Sequence, residues 1–302
     1  MNQMNKKDIL LAVMVILLWG VNFYFIRLGV QELSPMVLGL LRFVCLLVPA
    51  VFIIKRPAVA WYWLVLYGVT ISFGQFTLLF WAIWVGMPTG IVALTHQSQA
   101  FFTVLIAYFL WQESLKVNHL LAMILAGVGL MLVGVGQYQG KLPMMGLLLT
   151  LAAALSWAVG NAVVKKVGQV NALSLVIWGN VITVLLFAVA SMALHGVAGV
   201  VQQIEGMTWR GWLSVGFLAY VAGLMGYASW GSLLARYSAG TITPLALLIP
   251  IIALMVAYFA LKEPLNGWHW LGSAVVMMAL VVQVFGGRWF KRGQVNESTN
   301  VD

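Results

Sequence analysis

The sequence predicts an all-α integral membrane protein, ten transmembrane helices arranged as two inverted five-helix repeats. Three observations carry the prediction. The chain has 302 residues, of which 63% are apolar and only 8% charged, too much apolar surface for a water-soluble core of this length to absorb. The chain is also internally repeated. Gly90 to Glu113 aligns with Gly240 to Glu263 at one constant offset, which superposes Ala107-Tyr108-Phe109 on Ala257-Tyr258-Phe259 and continues to Leu115 and His119 on Leu265 and His269. At a slightly shorter offset Trp19 and Arg27 fall on Trp157 and Lys165. Third, the basic residues partition between the two sides of such an arrangement.

A span needs about 20 apolar residues, which places the helices near 8–29, 34–54, 62–84, 90–111, 118–136, 143–165, 171–194, 210–235, 239–261 and 268–287. The first run is long, contains Asn22 and lacks a small-x-small cleavage site, so it reads as a retained span. Ser34-Pro35 and Leu142-Pro143 start helices, with proline where its missing N–H costs little. Gly86-Met87-Pro88-Thr89-Gly90 is a tight reversal. Glu113 to Asn118 and Lys262 to Gly267 are polar turns, and His195 to Arg210 is the one long connection, expected along the interface. The domain reading is 1–140 for the first repeat, 141–290 for the second and 291–302 for a polar tail.

With a cytoplasmic N-terminus, the inner side receives Lys6, Lys7, Lys55, Arg56, Lys116, Lys165, Lys166, Arg236, Arg288, Lys291 and Arg292, and the outer side Arg27, Lys141, Arg210 and Lys262. This positive-inside bias supports ten spans with both termini cytoplasmic. It also puts Glu113 and Glu263 on opposite sides, as inversion requires. Inverted repeats of odd span number are the architecture of alternating access around a midplane site.

The net charge of +9 is scattered between spans rather than gathered on one face, so topology accounts for it and no nucleic-acid partner is expected. The single cysteine, Cys45, excludes an intrachain disulfide and a multi-cysteine metal site. No cofactor is expected. The run Gly136 to Leu142 approaches a phosphate loop, but its spacing is one residue short and Leu142 replaces the hydroxyl. Gly226 to Gly231 has the wrong spacing for a nucleophile elbow.

An ionisable group inside a span is costly and marks a functional position. Arg42 lies near the middle of the second span, with no carboxylate in any span centre. Its guanidinium suits a substrate carboxylate gripped through two parallel hydrogen bonds; backbone carbonyls or an interface are the structural alternative. Asn180 is its counterpart in the second half. His96 and Gln99, three residues apart on the fourth span, are expected to share a face, and His96 titrates near neutral pH, which suits either a proton carrier or a packing residue. The matching run in the second half contains Pro244 and Pro250, which free backbone carbonyls. Asn22, Gln75 and Asn161 offer amides either to a zwitterion or to a neighbouring helix. Trp19, Trp157 and Trp230 are candidate cavity walls. The candidate substrate-binding set is Arg42, Asn22, Gln75, His96, Gln99, Asn161 and Trp230. Glu113 and Glu263 are expected to cap or bond neighbouring helices.

The motifs LLWGVNFYFIR at 17–27, LGLLRF at 38–43, HQSQAFFT at 96–103, LSWAVGNAVVKK at 155–166, SLVIW at 174–178, YASWGSLLARYSA at 227–239 and PLALLIP at 244–250 together resemble the EamA branch of the drug/metabolite transporter superfamily. The resemblance covers nearly the whole chain and is nearest that family's bacterial exporters of O-acetylserine and cysteine-pathway metabolites. It departs at His96, where those exporters are expected to carry an apolar residue. The resemblance implies ten helices, a central cavity, a small-molecule substrate, the lipid bilayer of a bacterial inner membrane as surroundings and a gradient, of the substrate or of protons, as the drive. Other amino acids or drugs are the alternative cargo. A membrane enzyme would need a clustered catalytic set that the sequence lacks, and a scaffold would need neither the repeat nor a mid-span arginine. Oligomeric state is not written in the sequence.

Overall fold

The computed structural model describes residues 4–138, 143–168, 170–237 and 239–298. The domain boundary expected at 140/141, Lys141 and the Leu142 helix start lie outside the described residues. No strand occurs among them. In chain order the helices are α1 (Lys6–Glu32), α2 (Pro35–Val51), α3 (Trp61–Trp84), α4 (Thr89–Trp111), α5 (Val117–Tyr138), α6 (Met144–Val167), α7 (Ala172–Glu205), α8 (Trp209–Arg236), α9 (Pro244–Phe259) and α10 (Gly267–Ser298). Eight are long and apolar enough to cross a membrane, while α2 and α9 are shorter apolar helices. Outward-facing Leu10, Phe52, Ile124, Met131, Leu185 and Val189 are all more than half exposed. A soluble monomer does not leave so much apolar surface in water, and hydrocarbon is its natural solvent.

Local chemistry sets the ends. Asn5 caps α1, its Oδ1 accepting the Asp8 N–H at 2.8 Å, and Asn171 caps α7 through Ser174 N–H at 3.0 Å; both satisfy first-turn donors. Pro35 occupies the first turn of α2. The start of α1 is tied to the end of α8: Asp8 accepts from Arg236 Nη1 at 2.5 Å and from the Tyr237 hydroxyl at 2.7 Å. That bond pushes the Tyr237 phenol above its ordinary pKa.

Several helices are interrupted. α3 is π-helical at Gly68–Gly74 and α8 at Phe217–Met225. α4 breaks at Gln97–Ser98 into Thr89–His96 and Gln99–Trp111. A one-turn helix, Ala239–Ile242, precedes α9, which starts in a 3-10 stretch, Thr243–Leu247, before the α-helical Leu248–Phe259. Of the two prolines expected to free backbone carbonyls here, Pro244 coincides with the break, whereas Pro250 sits in the first turn of the following segment, where its missing N–H costs nothing. The only non-glycine residues of positive φ among those described are Gln112 and Lys262, each at 53°, and they lie 150 positions apart.

The connection expected along the interface at 195–210 is mostly helix. α7 continues to Glu205 through one kink at Gly196 (φ 65°, ψ 168°), a conformation open essentially to glycine alone. α10 continues to Ser298, so helical backbone enters the segment expected as a polar tail.

Small residues bring the helices close. A Cβ at Gly129 on α5 would stand 2.6 Å from the Val276 side chain, and one at Gly272 on α10 would stand 2.6 Å from the Gly129 carbonyl. A Cβ at Gly68 would collide with the Gly179 carbonyl, so α3 and α7 approach through backbone. Such contact replaces the hydrophobic force that lipid does not supply.

Candidate functional site

Arg42 is buried on α2 and 3% exposed. Its guanidinium carbon lies 3.9 Å from the centre of the Phe76 ring, with Phe43 at 5.3 Å and Phe80 at 5.8 Å. An aromatic face attracts a desolvated cation but accepts no hydrogen bond along the plane of the guanidinium. Nε and Nη1 are buried without a hydrogen-bond partner among the described residues. Phe43 stacks on Phe187 at 5.6 Å, which holds this aromatic floor against α7. Tyr227 on α8 is near enough to interact electrostatically with Arg42 and with Tyr67 on α3. Tyr227 thus lies in the neighbourhood of the cationic site, on a further helix.

A second group lies between α4 and α6. Asn161 Nδ2 donates to Gln99 Oε1 at 3.1 Å and to Thr103 Oγ1 at 3.2 Å. His96 packs against the Trp157 ring at 4.9 Å, and its Nε2 is buried without a partner. The shared face expected for His96 and Gln99 does not arise from one continuous helix. His96 ends the first segment of α4 and Gln99 begins the second, and each finds its partner on α6 independently. Around Trp19, Trp230 packs at 5.2 Å and Tyr227 at 5.7 Å, while the Trp19 indole N–H donates to the Ala222 carbonyl at 3.0 Å, inside the π-helical part of α8.

The remaining expected site residues are more scattered. Gln75 is 5% exposed beside Phe76, at the point where α3 returns from π to α geometry. Asn22 has a buried Oδ1 without a partner. The structure joins Gln99 to Asn161 directly and packs Trp230 and Tyr227 on the same ring, Trp19; among the described residues no direct bond runs from Asn22 or Gln75 to either group. Tyr67, Tyr227, Phe76 and Thr103 belong to these groups without having been singled out as site residues. Tyr227 stood inside a quoted motif, but no spacing rule pairs it with a residue 185 positions away.

A cavity of about 190 Å³ opens toward the second group. Thr103 and Asn161 line it together with Trp111, Glu113, His119 and Lys165. Lys165 bonds Glu113 and lies 4.4 Å from the Trp111 ring centre. Both members of that ion pair are substantially exposed, so the pair contributes about 0–1 kcal/mol and is readily exchanged. The expectation for the other carboxylate holds: Glu263 caps α4, accepting Thr89 N–H and Thr89 Oγ1 at 2.8 Å each and Gly90 N–H at 3.3 Å. No cluster of three or more metal-ligating side chains occurs among the described residues.

The EamA-like transporter family matches this chain twice, over residues 6–135 and 144–285. The chain is 40% identical over 297 residues to a protein of Escherichia coli (strain K12) named "Probable amino-acid metabolite efflux pump", with 97% of this chain and 99% of that one covered. A protein of the same name from Salmonella typhimurium is 39% identical over 298 residues, covering 97% and 100%. Protein PecM of Dickeya dadantii is 24% identical over 272 residues, covering 87% and 88%. A crystal structure of a protein 17% identical in sequence superposes with a TM-score of 0.60 over 91% of this chain and 95% of that one, a likeness of fold alone.

Proposed function

Because the chain belongs to the EamA-like transporter family, a family of membrane transporters and not of enzymes, we propose that it is a secondary exporter of small amino-acid-pathway metabolites, O-acetylserine and cysteine among them, across a bacterial inner membrane. The observation that carries this is the 40% identity, over nearly the full length of both chains, to a protein named for amino-acid metabolite efflux. The site chemistry agrees. Arg42 offers two unpartnered guanidinium nitrogens to a carboxylate, and the Tyr227 and Tyr67 rings and the Gln99–Asn161 amides surround the path with neutral polar groups suited to a zwitterion. Asn22, Gln75, His96 and Trp230 complete the proposed lining.

The proposed architecture is ten spans with both termini cytoplasmic, repeats at 1–140 and 141–290 and a tail at 291–302. Several features support the repeat. The family matches the two halves separately. The interrupted helices recur in equivalent places, π geometry at Gly68–Gly74 and Phe217–Met225 and breaks at Gln97–Ser98 and Thr243–Leu247. Gln112 and Lys262 share one unusual φ. Discontinuous helices at the midplane are where such transporters place their sites. Rocking of the two repeats would expose the site alternately, driven by the gradient of the substrate or of protons.

The test is uptake of labelled O-acetylserine and cysteine into inside-out vesicles, with and without an imposed proton gradient, for wild type and Arg42→Ala. Saturable uptake by the wild type, lost in a variant that still inserts, is the expected result. Absence of uptake by well-folded wild type removes these two substrates.

A further inference from the structure

Glu113 and Glu263 hold the same place in the two halves, 150 positions apart, yet they hold different partners. Glu263 takes both Thr89 donors and the Gly90 N–H. Gly90 meanwhile lies directly on α9: a Cβ there would stand 3.0 Å from the Ala257 Cβ and 3.0 Å from a Leu254 methyl. The beginning of α4 is therefore seated on three residues, Leu254, Ala257 and Glu263. At the same offset the equivalent seat consists of Val104, Ala107 and Glu113. These three line the 190 Å³ cavity. Glu113 is more than half exposed there and is turned to Lys165. The chain equivalent to Thr89-Gly90 is Ala239-Gly240, which repeats the glycine that allows close seating.

We infer that Glu113 and Glu263 are the two gate carboxylates of one transport cycle, positioning residues that take turns. In the state described here Glu263 holds Thr89 and Gly90, and the side of Glu113 stands open. In the opposite state Glu263 releases them. Glu113 then leaves Lys165 and accepts the backbone N–H groups at Ala239-Gly240, and Gly240 fills the cavity against Val104 and Ala107. Each closure exchanges an exposed, weakly held carboxylate for one that satisfies backbone donors, so the two states are matched in kind and the equilibrium is easily biased. The inference rests on the inverted repeat and alternating access proposed above.

The test uses Val104→Cys and Leu254→Cys, each in a Cys45→Ser background, as reporters of the two seats, read by the rate of maleimide labelling in membranes. Glu263→Gln keeps size but leaves one oxygen for three donors. It is expected to raise labelling at position 254 and lower it at 104, by about threefold or more, the scale of losing a helix cap. Glu113→Gln is expected to do the reverse, because the exposed pair it breaks with Lys165 stabilises little. The double variant is expected to return both rates toward wild type, which a variant that merely loosens the fold does not do. Unchanged rates, or both rates rising together, overturn the gate assignment. Added O-acetylserine separates this from the reading beneath it. Reciprocal shifts with substrate but not with the glutamate variants leave alternating access standing and remove the gate. Shifts with the variants but not with substrate support the gate and remove that cargo. No shift with either removes both.

Discussion

At Arg42 stability and function pull in different directions. A guanidinium deep in an apolar fold, stacked on Phe76 with two nitrogens unpartnered, gains about 2 kcal/mol from the ring when desolvated, but carries a desolvation cost of several kcal/mol. Replacing a buried charge with an apolar side chain of similar volume is often neutral or stabilising. Arg42→Met is therefore expected to leave the thermal midpoint in detergent unchanged or higher while lowering O-acetylserine transport by about tenfold or more, the scale of a lost charge-assisted bond pair. Arg42→Lys is expected to transport at an intermediate rate, since a point charge cannot hold both the ring face and a carboxylate fork. A collapse of the midpoint in Arg42→Met would make Arg42 a structural anchor instead. The burial of Arg42 was legible from the sequence, because it stands in the middle of an apolar run. Its surroundings were not: Phe76 reaches it from another helix, and no periodicity along one chain reports contacts between helices.

At the scale of elements, close approach is set by glycines whose importance the sequence does not rank. Gly68 faces the Gly179 carbonyl, whereas Gly127 has no atom within 4 Å of where a Cβ would stand. Gly68→Ala is expected to push α3 from α7 and cost about 1–3 kcal/mol, whereas Gly127→Ala is expected to stay within about 0.5 kcal/mol of wild type. Thermal unfolding of the two variants in the same detergent checks the contrast; equal effects would mean that the α3–α7 contact does not limit stability. Hydropathy located the helices because the bilayer imposes length and composition together. It did not locate the π-helical segments, whose φ and ψ at Gly68 and Phe217 remain α-like and whose register is chosen by packing. Nor did it reveal the break at Gln97–Ser98, which contains neither proline nor glycine. The counterpart break at Thr243–Leu247 was partly legible through Pro244. The resumption of helix after the kink at Gly196 was not legible, since His195 to Arg210 reads as a connection between spans.

For the whole molecule, the repeat and the charge distribution make one topological statement. Equivalent turns, at Lys116 after α4 and Lys262 after α9, should face opposite sides of the membrane. Single cysteines at these positions, in a Cys45→Ser background, are expected to differ in intact cells: Lys262→Cys reacts with a membrane-impermeant maleimide, and Lys116→Cys reacts only after permeabilisation. Reaction of both from outside would contradict the inverted arrangement whatever the cargo. The recurrence was legible because the Ala-Tyr-Phe and glutamate positions repeat at one offset; that Glu113 holds Lys165 while Glu263 holds Thr89 and Gly90 was not, since equal residues do not say which partner each takes. The central claim is that one site is exposed alternately to the two sides and carries amino-acid-pathway metabolites, and counterflow in proteoliposomes tests it most directly. Vesicles preloaded with unlabelled O-acetylserine and diluted into a trace of labelled O-acetylserine should show transient accumulation of label above its equilibrium level. Label that only approaches equilibrium monotonically, with folded protein present, would contradict an alternating-access carrier for this substrate.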